Sequence, residues 1–181
     1  MARITPVQVA QAQGNTKQLL EGVQKGLGMV PNMMKTMAQS SAALGAYLNF
    51  SQALATALNP RLREQIALAV AGINNCSYCA SAHTALGSKA GVDNTELAAN
   101  LQGRSEDPKT QAALRFARAI VIKQGWVSDD ELADIREAGY ADQQIVEIVA
   151  VVALNLFTNY FNHVADTEID FPVVETADAA A

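Results

Sequence analysis

Charge is scarce in this 181-residue chain: 17% of residues are Asp, Glu, Lys or Arg, against 50% hydrophobic, and aromatic residues make up 6%. So few charges beside so much apolar side chain exclude disorder, and the shortage of rings leaves aliphatic and alanine side chains to fill the core. Positive charge is not in excess. With a net charge of -5 and a pI near 5.0, the chain offers no basic face for a nucleic-acid backbone or an anionic membrane surface. The longest unbroken apolar run, "IVAVVAL" before Asn155, falls far short of the roughly 20 residues that span a bilayer. The opening "MARITPVQVAQAQGN" lacks the basic start and apolar block of a secretory signal, so the expectation is a cytoplasmic protein. Strand-like alternation is missing too. Apolar residues recur at three- and four-residue spacings, which predicts an all-α fold, and the length suits a single domain.

Helix boundaries are marked by caps and breakers. The pattern predicts a first helix from about Pro6 to Lys25, ended by the glycines of "KGLGMVPN", then short helices through "NMMKTMAQS" and "SAALGAYLNFSQALATAL". Asn59-Pro60 opens the next, which runs to about Ile73; proline is tolerated there because the first helical N–H has no partner anyway. Asn74 and Asn75 break that helix and can cap another from about Cys76 to Lys89, closed by Gly91. "DNTE", "EDPKTQ" and "SDDE" open three more. The last helix follows Asp142 through "IVEIVAVVALNLFTNYFNHV", and its apolar residues on nearly every side require burial in the protein or in an oligomer. The expected division is an N-terminal arm over 1–27, a helical domain over 28–172 and a tail over 173–181, with "EIDFPVVETADAAA" lying on the surface as an arm and its last residues frayed. "EQIALAVAGINNCSYC" and "EIVAVVALNLFTNYF" echo one another, as a degenerate internal duplication would, and the second copy has no cysteine.

Cysteine and histidine are each present twice, and three of those four residues fall in "NNCSYCASAH", residues 74–83. In a reducing compartment two cysteines make a poor structural framework, so a close pair points to redox chemistry or metal binding. A capped helix start favours a thiolate through its unpaired N–H groups and the helix dipole, and Cys-X-X-Cys spacing brings both sulfurs within disulfide reach. His83 follows Cys79 by one helical turn and shares its face, placing a base beside a nucleophile. Glu64 is the acid within an apolar stretch from Leu62 to Ile73 that would pack back on the cysteine helix, where its carboxylate can orient His83. Tyr78, between the cysteines, offers a hydroxyl that can pass a proton or hold a bound oxygen, or else packs with its hydroxyl in water. Met29, Met33, Met34 and Met37 either fill the core or line an apolar entrance. His163 either reaches a neighbouring subunit's site or is a buried structural residue.

Glu64, then eleven residues, then "CSYCASAH" resembles the active-site signature of the AhpD-like alkylhydroperoxidases in the carboxymuconolactone decarboxylase superfamily. "LREQIALAVAGINNCSYCASAHTALGSKAG" is similar to the family core, and "LGMVPNMMKTMAQS" with "NYFNHVADTEIDFP" resembles its peroxidase-related branch, from Gly28 to about Pro172. The resemblance implies an AhpD-like helical bundle, homo-oligomers of trimeric or hexameric type, and reduction of organic hydroperoxides without metal or organic cofactor. On the matching positions Cys79 attacks the peroxide oxygen, Cys76 supplies a proton and then resolves the sulfenic acid as a disulfide, and Glu64 and His83 relay protons. Tyr78 stands where the family often has histidine. The superfamily's decarboxylases generally lack the cysteine pair, so "CSYC" argues against decarboxylation. The reductant implied is a lipoyl- or thioredoxin-type dithiol. Three alternatives use the same residues: a general disulfide oxidoreductase, a redox sensor, and a zinc module in which Cys76, Cys79 and His83 are joined by Glu64 or His163.

Overall fold

The computed structural model describes residues 2–176; the expected fraying of the chain's last residues lies outside them. Nine α-helices and no strands are present among the described residues. They run α1 Gly14–Leu27, α2 Asn32–Met37, α3 Ser41–Leu54, α4 Pro60–Ile73, α5 Ser77–Lys89, α6 Asn94–Leu101, α7 Pro108–Ile122, α8 Asp129–Glu137 and α9 Asp142–Ala165. The fold is an all-α single domain.

Helix α4 is the hub. From Gln65 to Gly72 every residue is buried, because α5, α6, α7 and α9 pack around it. A helical segment buried on every side is stable only when surrounded in this way. Asn59 caps its start by accepting the N–H of Arg61 at 2.9 Å, with Pro60 at the first position. Close approach of α6 depends on a missing side chain: a Cβ on Gly72 would lie 1.9 Å from the Leu101 carbonyl oxygen. Two apolar cores flank α4. One gathers Leu20, Leu44, Leu68 and Leu97 with both cysteines, and the other gathers Ile66, Val70, Leu114, Ile135 and Ile148. Each fully buried aliphatic side chain of this kind contributes about 1.5–3 kcal/mol.

Three differences from the sequence reading have physical causes. Residues 6–13 do not join α1; apart from a short 3-10 turn at Val9–Gln11 they run extended. Tertiary contacts hold them there, since the Val7 N–H donates to the Lys35 carbonyl at 3.0 Å and the Gln39 side chain donates to the Thr5 carbonyl at 2.7 Å. The chain after α9, expected as a surface arm, is docked as far as it is described. Ile169, Phe171 and Val174 pack on the first core, and the Val174 N–H donates to Ser81 Oγ at 2.9 Å. Third, α9 as a whole is long and apolar enough to cross a membrane by length and composition alone, although its longest unbroken run is not. It nevertheless packs on α3, α4, α5 and α7, and it turns buried Asn155, Thr158, Asn159 and Asn162 inward. A core helix with a polar inner seam has polar groups to hold in place.

Candidate active site

Cys76, not Asn74 or Asn75, caps α5. Asn74 closes α4, Asn75 takes the left-handed conformation at φ 53°, which asparagine tolerates, and the chain enters α5 with Cys76 Sγ accepting the Cys79 N–H at 3.4 Å. The two sulfurs lie 2.8 Å apart, so joining them takes a short approach and no backbone rearrangement.

Two thiols so close cannot both ionise readily, and their proton affinities separate. The hydrogen bond to Cys79 holds the Cys76 thiol below its ordinary value, helped by the Cys79 backbone N–H and the positive potential of His83. The hydrogen bond from Cys76, burial and the neighbouring charge push the Cys79 thiol well above its own. Cys76 is therefore the more acidic of the two, whereas the sequence reading put the thiolate on Cys79. Helix N-terminal stabilisation operates here, but it falls on the capping sulfur.

Access divides the pair the other way. Cys76 is 1% exposed and Cys79 2%, yet Cys79 lines a cavity of about 640 Å³ together with His83, Tyr47, Tyr78 and apolar side chains. His83 Nδ1 lies 2.7 Å from Glu64 Oε2, the carboxylate reaching across from α4. No hydrogen bond engages His83 Nε2 among the described residues. A second cavity, of about 780 Å³, adjoins the first, sharing Tyr47 and His83 and including Glu64 in its wall.

Tyr78 is occupied. Its hydroxyl donates to Asp170 Oδ1 at 2.9 Å and accepts the Met33 N–H at 3.1 Å, while burial and the Asp170 charge push its phenol well above the ordinary value. Asp170 Oδ2 also accepts the Asn32 N–H at 2.7 Å, so Tyr78 and Asp170 tie α2, α5 and the C-terminal segment together beside the cavity. The methionines serve both expected uses: Met29 lines the cavity, Met33 and Met34 line it from within the buried core, and Met37 is buried in the core alone. His163 is exposed on the last turn of α9, so within this chain it is not a buried structural residue. Among the described residues no three His, Cys, Asp or Glu side chains converge as a metal-ligand set, and the zinc arrangement through His163 is not assembled.

Other site residues were not singled out from the sequence. Asn162 Nδ2 donates to Cys79 Sγ at 3.3 Å, and Asn159, one turn earlier on α9, also draws the Cys79 thiol downward, against the larger upward causes. The Asn159 side-chain oxygen accepts the Asn74 amide at 2.9 Å, joining the two segments of the internal echo, while its Nδ2 is buried without a partner among the described residues. Tyr47, in both cavity walls, has its phenol pushed up to about 12 by burial and by the nearby Cys79 and Glu64 charges. It stays a proton donor at neutral pH. The asparagines follow one another at helical spacing in "NLFTNYFN", a polar stripe on an apolar helix that was the available signal.

Comparison with known proteins agrees with this fold. Residues 41–121 match the carboxymuconolactone decarboxylase family. A peroxidase-related protein from Ralstonia eutropha JMP134, described as an alkylhydroperoxidase AhpD core, superposes with a TM-score of 0.85 at 23% identity, over 93% of this chain and 92% of that one. A peroxidase-related protein from Silicibacter sp. TM1040 gives a TM-score of 0.79 at 24% identity, over 92% of each chain. The debrominase Bmp8 gives 0.79 at 22% identity, over 93% of this chain and 92% of its own. No curated protein matches the sequence. At these identities the structural likeness is one of fold, and a fold shared with a debrominase does not fix the reaction. Residues 41–121 therefore resemble a carboxymuconolactone decarboxylase domain, set in a fold shared with AhpD-like, peroxidase-related proteins.

Proposed function

We propose that the protein is a thiol-dependent hydroperoxide reductase whose working groups are Cys79, Cys76, His83 and Glu64. The observation that carries this reading is a sulfur pair 2.8 Å apart with one member, Cys79, on the wall of an apolar cavity beside a histidine held by a carboxylate. Cys79 is the sulfur that a substrate reaches. Cys76 is the more acidic sulfur of the pair, and once it has lost its proton, transfer of the Cys79 proton to it forms the Cys79 thiolate. The Cys79 thiolate then attacks the outer peroxide oxygen, the O–O bond breaks, and the departing alkoxide takes a proton from Cys76 or His83. This gives an alcohol and a Cys79 sulfenic acid. Cys76 attacks that sulfur and the hydroxide leaves as water, taking its proton from His83 or solvent, which forms the Cys76–Cys79 disulfide. An external dithiol of lipoyl or thioredoxin type returns the pair to its reduced form, becoming a disulfide itself.

Each supporting group has one task. Glu64 fixes the imidazole through Nδ1 and leaves Nε2 to move protons. Asn162, with Asn159 beside it, stabilises negative charge on Cys79. Tyr78 and Asp170 hold the cavity wall. A recessed, mainly apolar cavity favours a small organic substrate over a protein disulfide, which ranks a general disulfide oxidoreductase lower. It also ranks a sensor lower, because sensing needs no substrate pocket. The proposed setting is a reducing one such as the cytoplasm, with no nucleic-acid or membrane partner.

The protein is proposed to act as a homo-oligomer, trimeric or hexameric. Val146, Val149, Phe157, Tyr160 and Val164 form an apolar stripe along the outer face of α9, each between 44% and 68% exposed, and covering such a stripe with another copy removes it from water. Val149→Glu with Phe157→Glu is expected to give monomers in sedimentation analysis.

Turnover of cumene hydroperoxide with a supplied dithiol tests the enzymatic reading. Wild type is expected to consume peroxide and to show a Cys76–Cys79 disulfide by mass spectrometry when the dithiol is withheld. Cys79→Ser is expected to abolish both, and full turnover by that variant refutes the proposal.

A further inference from the structure

Along α5, Cys79, Ala82, His83, Leu86 and Lys89 all line the same cavity. Their spacing of three and four residues keeps them on one helix face. The stripe changes character from end to end, with a reactive sulfur in the first turn, apolar side chains in the middle and an ammonium group in the last turn. Met29, Met33 and Phe171 supply apolar wall elsewhere in the lining. Lys89 is the one Lys or Arg in that lining, and no Asp or Glu joins it there. It is exposed, and among the described residues it takes part in no ion pair. An apolar channel with one unpaired cation at its rim is complementary to an apolar molecule carrying one negative charge.

We infer that the substrate is an amphipathic carboxylate, with its acid end at Lys89 and its hydroperoxide at Cys79. This rests on the reading of Cys79 as the peroxide-reducing sulfur. The helix sets the length: ten residues from Cys79 to Lys89 rise about 15 Å. An extended hydrocarbon with C–C bonds of about 1.5 Å covers that span with roughly a dozen carbons. The class is a fatty-acyl hydroperoxide whose peroxide lies about that far from the carboxylate. Short or uncharged hydroperoxides still reach the sulfur but leave the ammonium unused. A lysine in the last turn of a helix also suits the helix dipole, but that role is indifferent to a ligand's charge.

The test has a binding arm and a turnover arm. Dodecanoate and dodecan-1-ol are titrated calorimetrically into Cys79→Ser protein, alone and combined with Lys89→Ala or Lys89→Glu, with thermal melts to verify folding. Dodecanoate is expected to bind about fivefold more tightly than the alcohol, the upper range for a solvent-exposed ion pair. The preference is expected to shrink with salt, disappear in Lys89→Ala and invert in Lys89→Glu. In turnover, a fatty-acid hydroperoxide is expected to exceed its methyl ester about fivefold in kcat/KM, mostly through KM, and Lys89→Ala is expected to equalise them. Equal affinity for acid and alcohol, absence of saturable binding, or an acid preference that persists in folded Lys89→Glu overturns the inference. If wild type reduces no hydroperoxide, the reductase reading fails, and the titration still decides whether this is a carboxylate site.

Discussion

Replacing Asn162 by alanine tests how the site holds charge on sulfur. Asn162 is buried and donates its amide to Cys79 Sγ at 3.3 Å, and that contact favours the anion of the pair at either sulfur. A hydrogen bond to a charged group contributes about 1.5–3 kcal/mol, and at about 1.4 kcal/mol per pH unit that is roughly one to two units of acidity. Sulfur is a diffuse acceptor, so the lower end applies. In Asn162→Ala the midpoint of thiol alkylation by iodoacetamide, followed across pH, is expected to move up by about one unit. The sign follows from the equilibrium: with less help for the anion, a higher pH is needed to form it. Below the midpoint the alkylation rate is then expected to fall about tenfold. Asn162→Asp sets a carboxylate against the sulfur and is expected to raise the midpoint further. Thermal melts establish that both variants fold. If two folded variants alkylate with the wild-type midpoint, the α9 amide does not govern the charge on the pair, and its role in the proposed chemistry is refuted.

The remaining predictions concern the relay and the frame. Glu64→Gln removes the charge that holds His83 through the 2.7 Å contact, and hydroperoxide turnover is expected to fall about a hundredfold, with the number of titratable thiols unchanged. Asp170→Ala removes the acceptor for both Asn32 N–H and Tyr78 hydroxyl. The expected loss is about 3 kcal/mol, or a Tm lower by about 10 °C, and an unchanged melt refutes the clamp. Gly72→Ala forces a methyl group against the Leu101 carbonyl oxygen; with little room for either helix to move, a loss of about 3 kcal/mol is expected in urea unfolding.

What the sequence made legible was local. Helical spacing put Cys79 and His83 on one face of α5, caps and prolines marked most helix starts, and an α9 apolar on nearly every side announced that it must pack in the protein or an oligomer. Glu64 became readable through the family signature, because its separation from the cysteines reflects how α4 folds back on α5. The unread parts depend on distant contacts. Asn162 meets Cys79 across 83 positions and Asp170 meets Tyr78 across 92, and neither spacing follows from any local rule. The order of acidity within the pair depends on the hydrogen bond between the sulfurs and on burial, neither of which the spacing of the cysteines reveals. The stretch before α1 failed for a related reason: its helical pattern is overridden by bonds to Lys35 and Gln39.

The contrast between a sealed Cys76 and a cavity-facing Cys79 bears on traffic through the proposed catalytic cycle. Once the disulfide has closed, an incoming reductant meets the same sulfur through the same doorway that admitted the oxidant. The two co-substrates must therefore take turns, and a surplus of either blocks the other. Initial-rate plots are expected to be parallel at low concentrations of both, bending into mutual competitive inhibition when one saturates.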